Sequence, residues 1–195
     1  MNPRSAVTAA HAPTIATAAP DQAALLALLI RRSDADVARC FGLSPRNAPT
    51  HPSACTAAWV KADYRDGVRY YPASQGMMIV GCAAIKAASP DLCYLMRLAV
   101  LPLFRGQGIG GRLTQHICRQ ARRACAAELS VSLIAAQTAL AAWYRRQGFE
   151  PVAKRRLAHL PFEVLFMRRG LGAGGDKDKE ATNQNSSGRT ERSCL

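Results

Sequence analysis

The chain has 195 residues, 49% of them hydrophobic, and its 26 Lys and Arg against 13 Asp and Glu give a formal net charge of +13. That length suits one well-buried domain rather than two, and the apolar fraction supports a globular core. No apolar run reaches the roughly twenty residues of a membrane-spanning helix, and seven cysteines without a Cys-x-x-Cys pair, beside four dispersed histidines, give no metal-ligand spacing.

In chain order, residues 1–11 are rich in Ala, Ser and Thr and read as a disordered start without the apolar stretch of a secretory signal. Thr14 to Thr17 suits a first strand. Asp21 is a candidate N-cap for a helix whose Leu25, Leu28 and Leu29 fall at spacings of three and four. Arg31-Arg32 suit its C-terminus, and Ser33 to Phe41 reads as a second short helix. Residues 42–56 carry Pro, Asn, Ser and His and read as a loop. Thr56 to Ala62 and Val68 to Tyr71 read as strands about an Arg65-Asp66-Gly67 turn. Gly76 to Ala84 and Tyr94 to Val100 read as buried strands separated by Ser89-Pro90-Asp91.

The next stretch is the most informative. An apolar run, Leu95 to Leu103, leads into Arg105-Gly106-Gln107-Gly108-Ile109-Gly110-Gly111-Arg112, which opens a helix with an apolar stripe at Ile109, Leu113, Ile117, Ala121 and Cys125. The first N–H groups of a helix lack internal partners and sit at the positive end of its dipole, so a strand, a glycine turn and a helix start build an anion site from backbone. A P-loop is excluded because Arg112-Leu113 stand where Lys and Ser/Thr are required. Gly106, Gly108 and Gly111 fit Gly-x-Gly-x-x-Gly, with Glu128 downstream, but no βαβ unit precedes them as a dinucleotide fingerprint needs. Leu129 to Ala135 reads as a strand and Thr138 to Gln147 as a helix stopped by Gly148. Glu150 to Arg156 and Glu163 to Met167 form a hairpin-like end. The order is roughly β-α-α-β-β-β-α-β-α-β-β. The Gly-rich, then charged and polar tail, 170–195, reads as disordered.

The segment Cys93 to Leu113, with Arg105, Gly108 and Gly110 meeting Arg/Gln-x-x-Gly-x-Gly/Ala, resembles motif A of the GNAT superfamily of N-acetyltransferases. Leu133 to Phe149, with Tyr144 and a closing Gly148-Phe149, resembles motif B. The resemblance implies a mixed α/β (α+β) domain over 12–169, with a central, mostly antiparallel sheet flanked by helices on both faces. It implies acetyl-CoA as co-substrate, without a metal, and a primary amine of a small molecule or peptide as acceptor. It also implies roles: Gln107, Ile109, Gly110, Gly111 and Arg112, with Arg105, Gly106 and Gly108, on the cofactor's diphosphate; Leu98, Ala99 and Val100 beside the pantetheine arm; Gln137 in the position of a frequent Asn; and Tyr144 as proton donor to the departing thiolate. A phenol with an ordinary pKa of about 10 suits that task.

Many relatives carry a Glu on the motif A strand, yet Tyr94-Leu95-Met96-Arg97-Leu98 holds no acid. Glu163, Asp91, His116 and His159 are the candidate bases, and a water relay is equally open. Trp59, Tyr64, Tyr70 and Tyr71, with Asp63 and Asp66, are candidates for the acceptor site or plain half-buried residues. A non-catalytic CoA-binding regulatory module is the alternative reading. The basic charge clusters around the glycine turn and late in the fold without an aromatic-interleaved motif, so nucleic acid is not expected as a partner. No membrane association is expected, a homodimer is left open, and the compartment expected is the cytoplasm, with Ser193-Cys194-Leu195 only loosely like a peroxisomal ending.

Overall fold

The computed structural model describes residues 12–172; the segment 1–11 and most of the tail, Ser193-Cys194-Leu195 included, lie outside them. Seven strands form one sheet in the order β1-β2-β3-β4-β5-β7-β6. They are β1 Thr14–Ile15, β2 Arg69–Gln75, β3 Met78–Ser89, β4 Leu92–Val100, β5 Glu128–Ile134, β6 Glu150–Arg156 and β7 Glu163–Gly170. The helices are α1 Ala23–Cys40, α2 Ala57–Arg65, α3 Ile109–Arg123 and α4 Thr138–Arg146. All neighbouring strands run antiparallel except β4 and β5. One core, on the α3 and α4 side, gathers Ile85, Leu95, Ile109, Leu113, Ile117, Leu129, Tyr144, Phe149 and Met167. A second, on the opposite face, gathers Leu26, Leu29, Ile30, Val60, Tyr70, Cys82 and Ala99 under α1 and α2. The mixed, mostly antiparallel sheet with helices on both faces is the architecture expected, and no described helix is long and apolar enough to cross a membrane.

The order of strands and helices is the one expected from the sequence, but the second helix is α2 and not the segment expected, and several assignments differ. Ser33 to Phe41 is no second helix: α1 runs unbroken for 18 residues, because nothing between Arg31 and Cys40 breaks it and Gly42 is the first residue suited to a left-handed exit. Thr56 to Ala62 is no strand: it is α2, capped by the Thr56 hydroxyl, which accepts the Trp59 N–H at 3.2 Å. Asp21 does not cap α1; a short 3-10 turn, Pro20–Gln22, precedes it, and the Gln22 side chain accepts the Ala19 N–H instead. Gly76 is a turn residue between β2 and β3, not the start of a strand. Cys55, Cys82, Cys93 and Cys118 are buried, whereas Cys125 is exposed. Strand β7 runs to Gly170, and buried Leu171 beyond it donates its N–H to Ala127 O at 2.7 Å.

Helix α3 sits where the glycine turn needs it because its stripe is buried. Ile109, Leu113 and Ile117 are each at most 1% exposed, which contributes about 1.5–3 kcal/mol apiece. Two features of β4 then shape the site. It pairs with β5 only through Leu92, Cys93 and Tyr94 against Glu128, Leu129 and Ser130, so beyond those residues the two parallel strands diverge. On its other side the register against β3 shifts between Cys82 and Ala84, which face Ala99 and Met96. That bulge puts Arg97 at φ +51, a conformation non-glycine residues adopt only under constraint.

Candidate functional site

The divergence of β4 from β5 leaves Leu98, Ala99 and Val100 on a strand edge that β5 does not cover. The chain then turns through Pro102–Phe104 and the exposed Arg105-Gly106-Gln107-Gly108 into α3. Gly106 and Gly108 both have φ +78, with Gly108 as the N-cap. Only glycine holds that conformation without strain. Arg112 donates its N–H to Gly108 O at 3.1 Å. Because an α-helical N–H reaches four residues back, those of Ile109, Gly110 and Gly111 have no acceptor inside the helix. Gly110 packs closely: a Cβ there would lie 3.3 Å from the Trp143 ring of α4, which would have to give by a few tenths of an ångström. This glycine therefore lets α4 close against the helix start. Arg112 is exposed beside the turn.

Arg105 is not the free flanking charge expected. Its guanidinium donates to the Asp36 carboxylate and the Ser33 carbonyl of α1, and its Nε to Val100 O at 3.1 Å. It ties α1 to the end of β4. Gln107 turns back to Leu103 O at 3.3 Å. Gln137 is the N-cap of α4 without a side-chain capping bond; its carbonyl accepts the Ala141 N–H.

Tyr144 projects from α4 with its ring between Trp143 and Phe149, at centroid distances of 4.9 and 5.3 Å. It is 4% exposed, and burial first, then Asp34, pushes its phenol well above the ordinary value. The phenol therefore lies above the value of about 10 expected for it, so its hydroxyl keeps its proton at neutral pH.

The sequence-derived bases have these surroundings. Glu163 is paired with Lys154 at 2.6 Å, and Asp91 and His159 are exposed. His116 is not exposed but stacks on Tyr71 at 4.6 Å, with burial holding its pKa below the ordinary value. The aromatic candidates divide. Tyr64 bonds Ala18 O at 3.2 Å, and Tyr70 donates to Asp63, so both serve packing. Arg97 reaches Asp63 at 3.4 Å and lies over the Trp59 ring at 5.7 Å.

The acid that sequence reasoning missed is Asp34. It is half-buried, and its carboxylate accepts no hydrogen bond among the described residues. Burial pushes its pKa up to about 7, against the opposing charges of Arg105 and Arg97 and with Asp36 adding to the rise. The signal was present: Ser33 and Asp34 continue the buried stripe of Leu26, Ala27 and Ile30, so an acid stands on the inward face of an amphipathic helix.

Residues 66–151 match the family model described as the acetyltransferase (GNAT) domain. Over 81 residues the chain is 38% identical to the amino-acid acetyltransferase of Pseudomonas fluorescens (strain Pf0-1); the match covers 41% of this chain but only 18% of that protein. The ribosomal-protein-S18-alanine N-acetyltransferase of Escherichia coli superposes with a TM-score of 0.66 at 16% identity, covering 85% of this chain and 97% of that one. The yncA protein of Salmonella typhimurium, solved with its cofactor acetyl-CoA, superposes with a TM-score of 0.62 at 16% identity, covering 87% and 99%. The diverging strand pair and the glycine turn at a helix start fall within the segment, residues 66–151, that is similar to the acetyltransferase (GNAT) domain.

Proposed function

We propose that the protein transfers the acetyl group of acetyl-CoA to a primary amine of a small molecule or peptide. The observation that carries this is that β4 loses its β5 partner beyond Tyr94 and leads through the glycine turn into the exposed start of α3. The N–H groups from Gln107 to Arg112 would take the diphosphate, where the helix dipole favours negative charge. The edge Leu98-Ala99-Val100 would pair with the amide-bearing pantetheine arm as a short added strand. A backbone N–H near Leu98 or Ala99 would polarise the thioester carbonyl. The Tyr144 hydroxyl would donate a hydrogen bond to the sulfur as the C–S bond breaks.

The relatives with named acceptors act on amino acids and on the alanine of a ribosomal protein. A first screen therefore uses free amino acids and alanyl peptides, with released thiol as the readout. Acetyl-CoA is expected to bind in calorimetry; no binding at millimolar cofactor would end the reading, and binding without thiol release from any amine would leave a CoA-binding module. A Gly106→Val/Gly108→Val double variant is expected to weaken acetyl-CoA binding at least tenfold, because valine is strained at φ +78. Tyr144→Phe is expected to lower kcat about tenfold with acetyl-CoA affinity unchanged, the cost of losing one hydrogen bond of about 1.4 kcal/mol to the departing sulfur. Unchanged kcat would remove Tyr144 from the chemistry.

A further inference from the structure

The cleft lacks an obvious proton acceptor on β4, yet the structure brings one in from another element. Arg105 grips α1 on both sides of Asp34, at the Ser33 carbonyl and at the Asp36 carboxylate, while its Nε holds Val100 O. One side chain thus ties the α1 segment containing Asp34 to the end of the strand that offers the cofactor edge. The charged groups acting on Asp34 are Arg105 from the turn, Arg97 from β4 and Asp36 from α1 itself. The Asp34 charge also adds to the raised pKa of Cys82 of β3, Cys55 before α2 and Tyr144 of α4. The carboxylate therefore stands within electrostatic reach of Arg97 on β4 and of the Tyr144 hydroxyl on α4. Beside it, the Ser33 hydroxyl is buried and has no hydrogen-bond partner. Two adjacent polar side chains without partners, on the buried stripe of a helix, are costly to keep for packing alone.

We propose that Asp34 is the proton acceptor for the incoming amine, supplied by α1 where β4 supplies none. The proposal rests on the acetyl-transfer reading. An ammonium gives one proton to the Asp34 carboxylate. The freed nitrogen lone pair forms the C–N bond at the thioester carbonyl, the C–S bond breaks, and the sulfur leaves with its electron pair. The second nitrogen proton passes to that thiolate, and Asp34 returns its proton to solvent. The products are the amide, CoA thiol and one proton. With its carboxyl pushed up to about 7, Asp34 holds a proton far better than an ordinary carboxylate near ~3.9, while staying largely ionised above neutrality.

The test compares wild type with Asp34→Asn and Asp34→Glu, using an Ala-Gly-Gly peptide and the free amino acids as probes. In wild type, kcat/KM for thiol release is expected to fall as pH drops through about 7. Asp34→Asn is expected to lose at least thirtyfold of kcat/KM at pH 8 and to lose that acid limb, with acetyl-CoA affinity within threefold. Asp34→Glu is expected to restore part of the rate together with the limb. An Asn variant that keeps both rate and limb overturns the assignment. A second measurement needs no acceptor: a carbon-13 carboxyl titration, assigned by the Asn variant, is expected to show Asp34 near 7, and a midpoint below 5 overturns the proposal. Wild type that fails to bind acetyl-CoA overturns the acetyl-transfer reading itself, whereas intact binding with an unperturbed Asn variant removes only Asp34.

Discussion

Asp63→Ala is expected to lower the unfolding free energy by about 3 kcal/mol, the low end of the cost of stripping one partner from a buried ion pair. Asp63 Oδ2 accepts from the Tyr70 hydroxyl and from Arg97 Nε at 3.4 Å. Both charged side chains are well sheltered, at 17% exposure for Arg97 and 16% for Asp63. Alanine leaves the guanidinium without its counter-charge and the phenol without an acceptor in the same pocket. The Trp59 face under Arg97 offsets only part of that, about 0.5–1 kcal/mol for a partly solvated pair. Local backbone strain adds to the cost. Arg97 holds φ +51 at the β4 bulge, and its carbonyl also takes the Cys82 thiol at 3.5 Å, so loosening the guanidinium removes a main restraint on that conformation. Tyr70→Phe, which removes one neutral donor and keeps the ion pair, is expected to cost only about 1 kcal/mol. Urea unfolding of the two variants separates them, and an Asp63→Ala loss below 1 kcal/mol would show that the network does not hold the bulge.

That network shows why the sequence is easier to read in some places than in others. The cradle was legible because a glycine turn, an apolar strand and an apolar stripe are local patterns. Gly106 and Gly108 adopt positive φ, and Ile109, Leu113 and Ile117 are buried as their spacing demands. Motif B was legible for the same reason, with Gly148 at φ +81 ending α4. The bulge at Arg97 was not, because it is set by register against β3 and by an acid 34 positions earlier in the chain. Thr56 to Ala62 misled because Trp59 and Val60 suit either a strand or a helix, and the Thr56 cap together with burial of Val60 decides for the helix. Splitting α1 at Arg31-Arg32 had the largest consequence for the site: it placed Asp34 near the exposed start of a separate helix rather than on the inward face of a long one. The tie of Arg105 to α1 was not legible, because its partners Ser33 and Asp36 lie about seventy positions away.

Asp34→Asn should also make the protein more stable above neutral pH, by about 2–3 kcal/mol. The folded-state pKa is raised from 3.8 to about 7, burial being the main cause. Each tenfold gain in proton affinity corresponds to about 1.4 kcal/mol, so a roughly thousandfold gain sets a ceiling near ~4 kcal/mol, discounted here because the carboxyl is only half-buried. The sign follows from which state holds the proton. Below the unfolded value both states are protonated, and Asp34 adds no pH dependence. Between the unfolded and folded values the unfolded chain has lost the proton while the native protein keeps it, so native stability falls as pH rises through that window. Above about 7 both states are ionised and the penalty is constant. Asparagine carries no charge and escapes it. The variant's advantage in urea unfolding should therefore be small at pH 4, grow toward pH 7 and level off by pH 8.5. An advantage independent of pH would instead reflect packing, and a loss at pH 8.5 would mean that the folded protein stabilises the carboxylate. A residue whose neutral replacement strengthens the fold while slowing acetyl transfer is one the fold keeps at a cost, as expected where the buried charge does chemistry rather than holding structure.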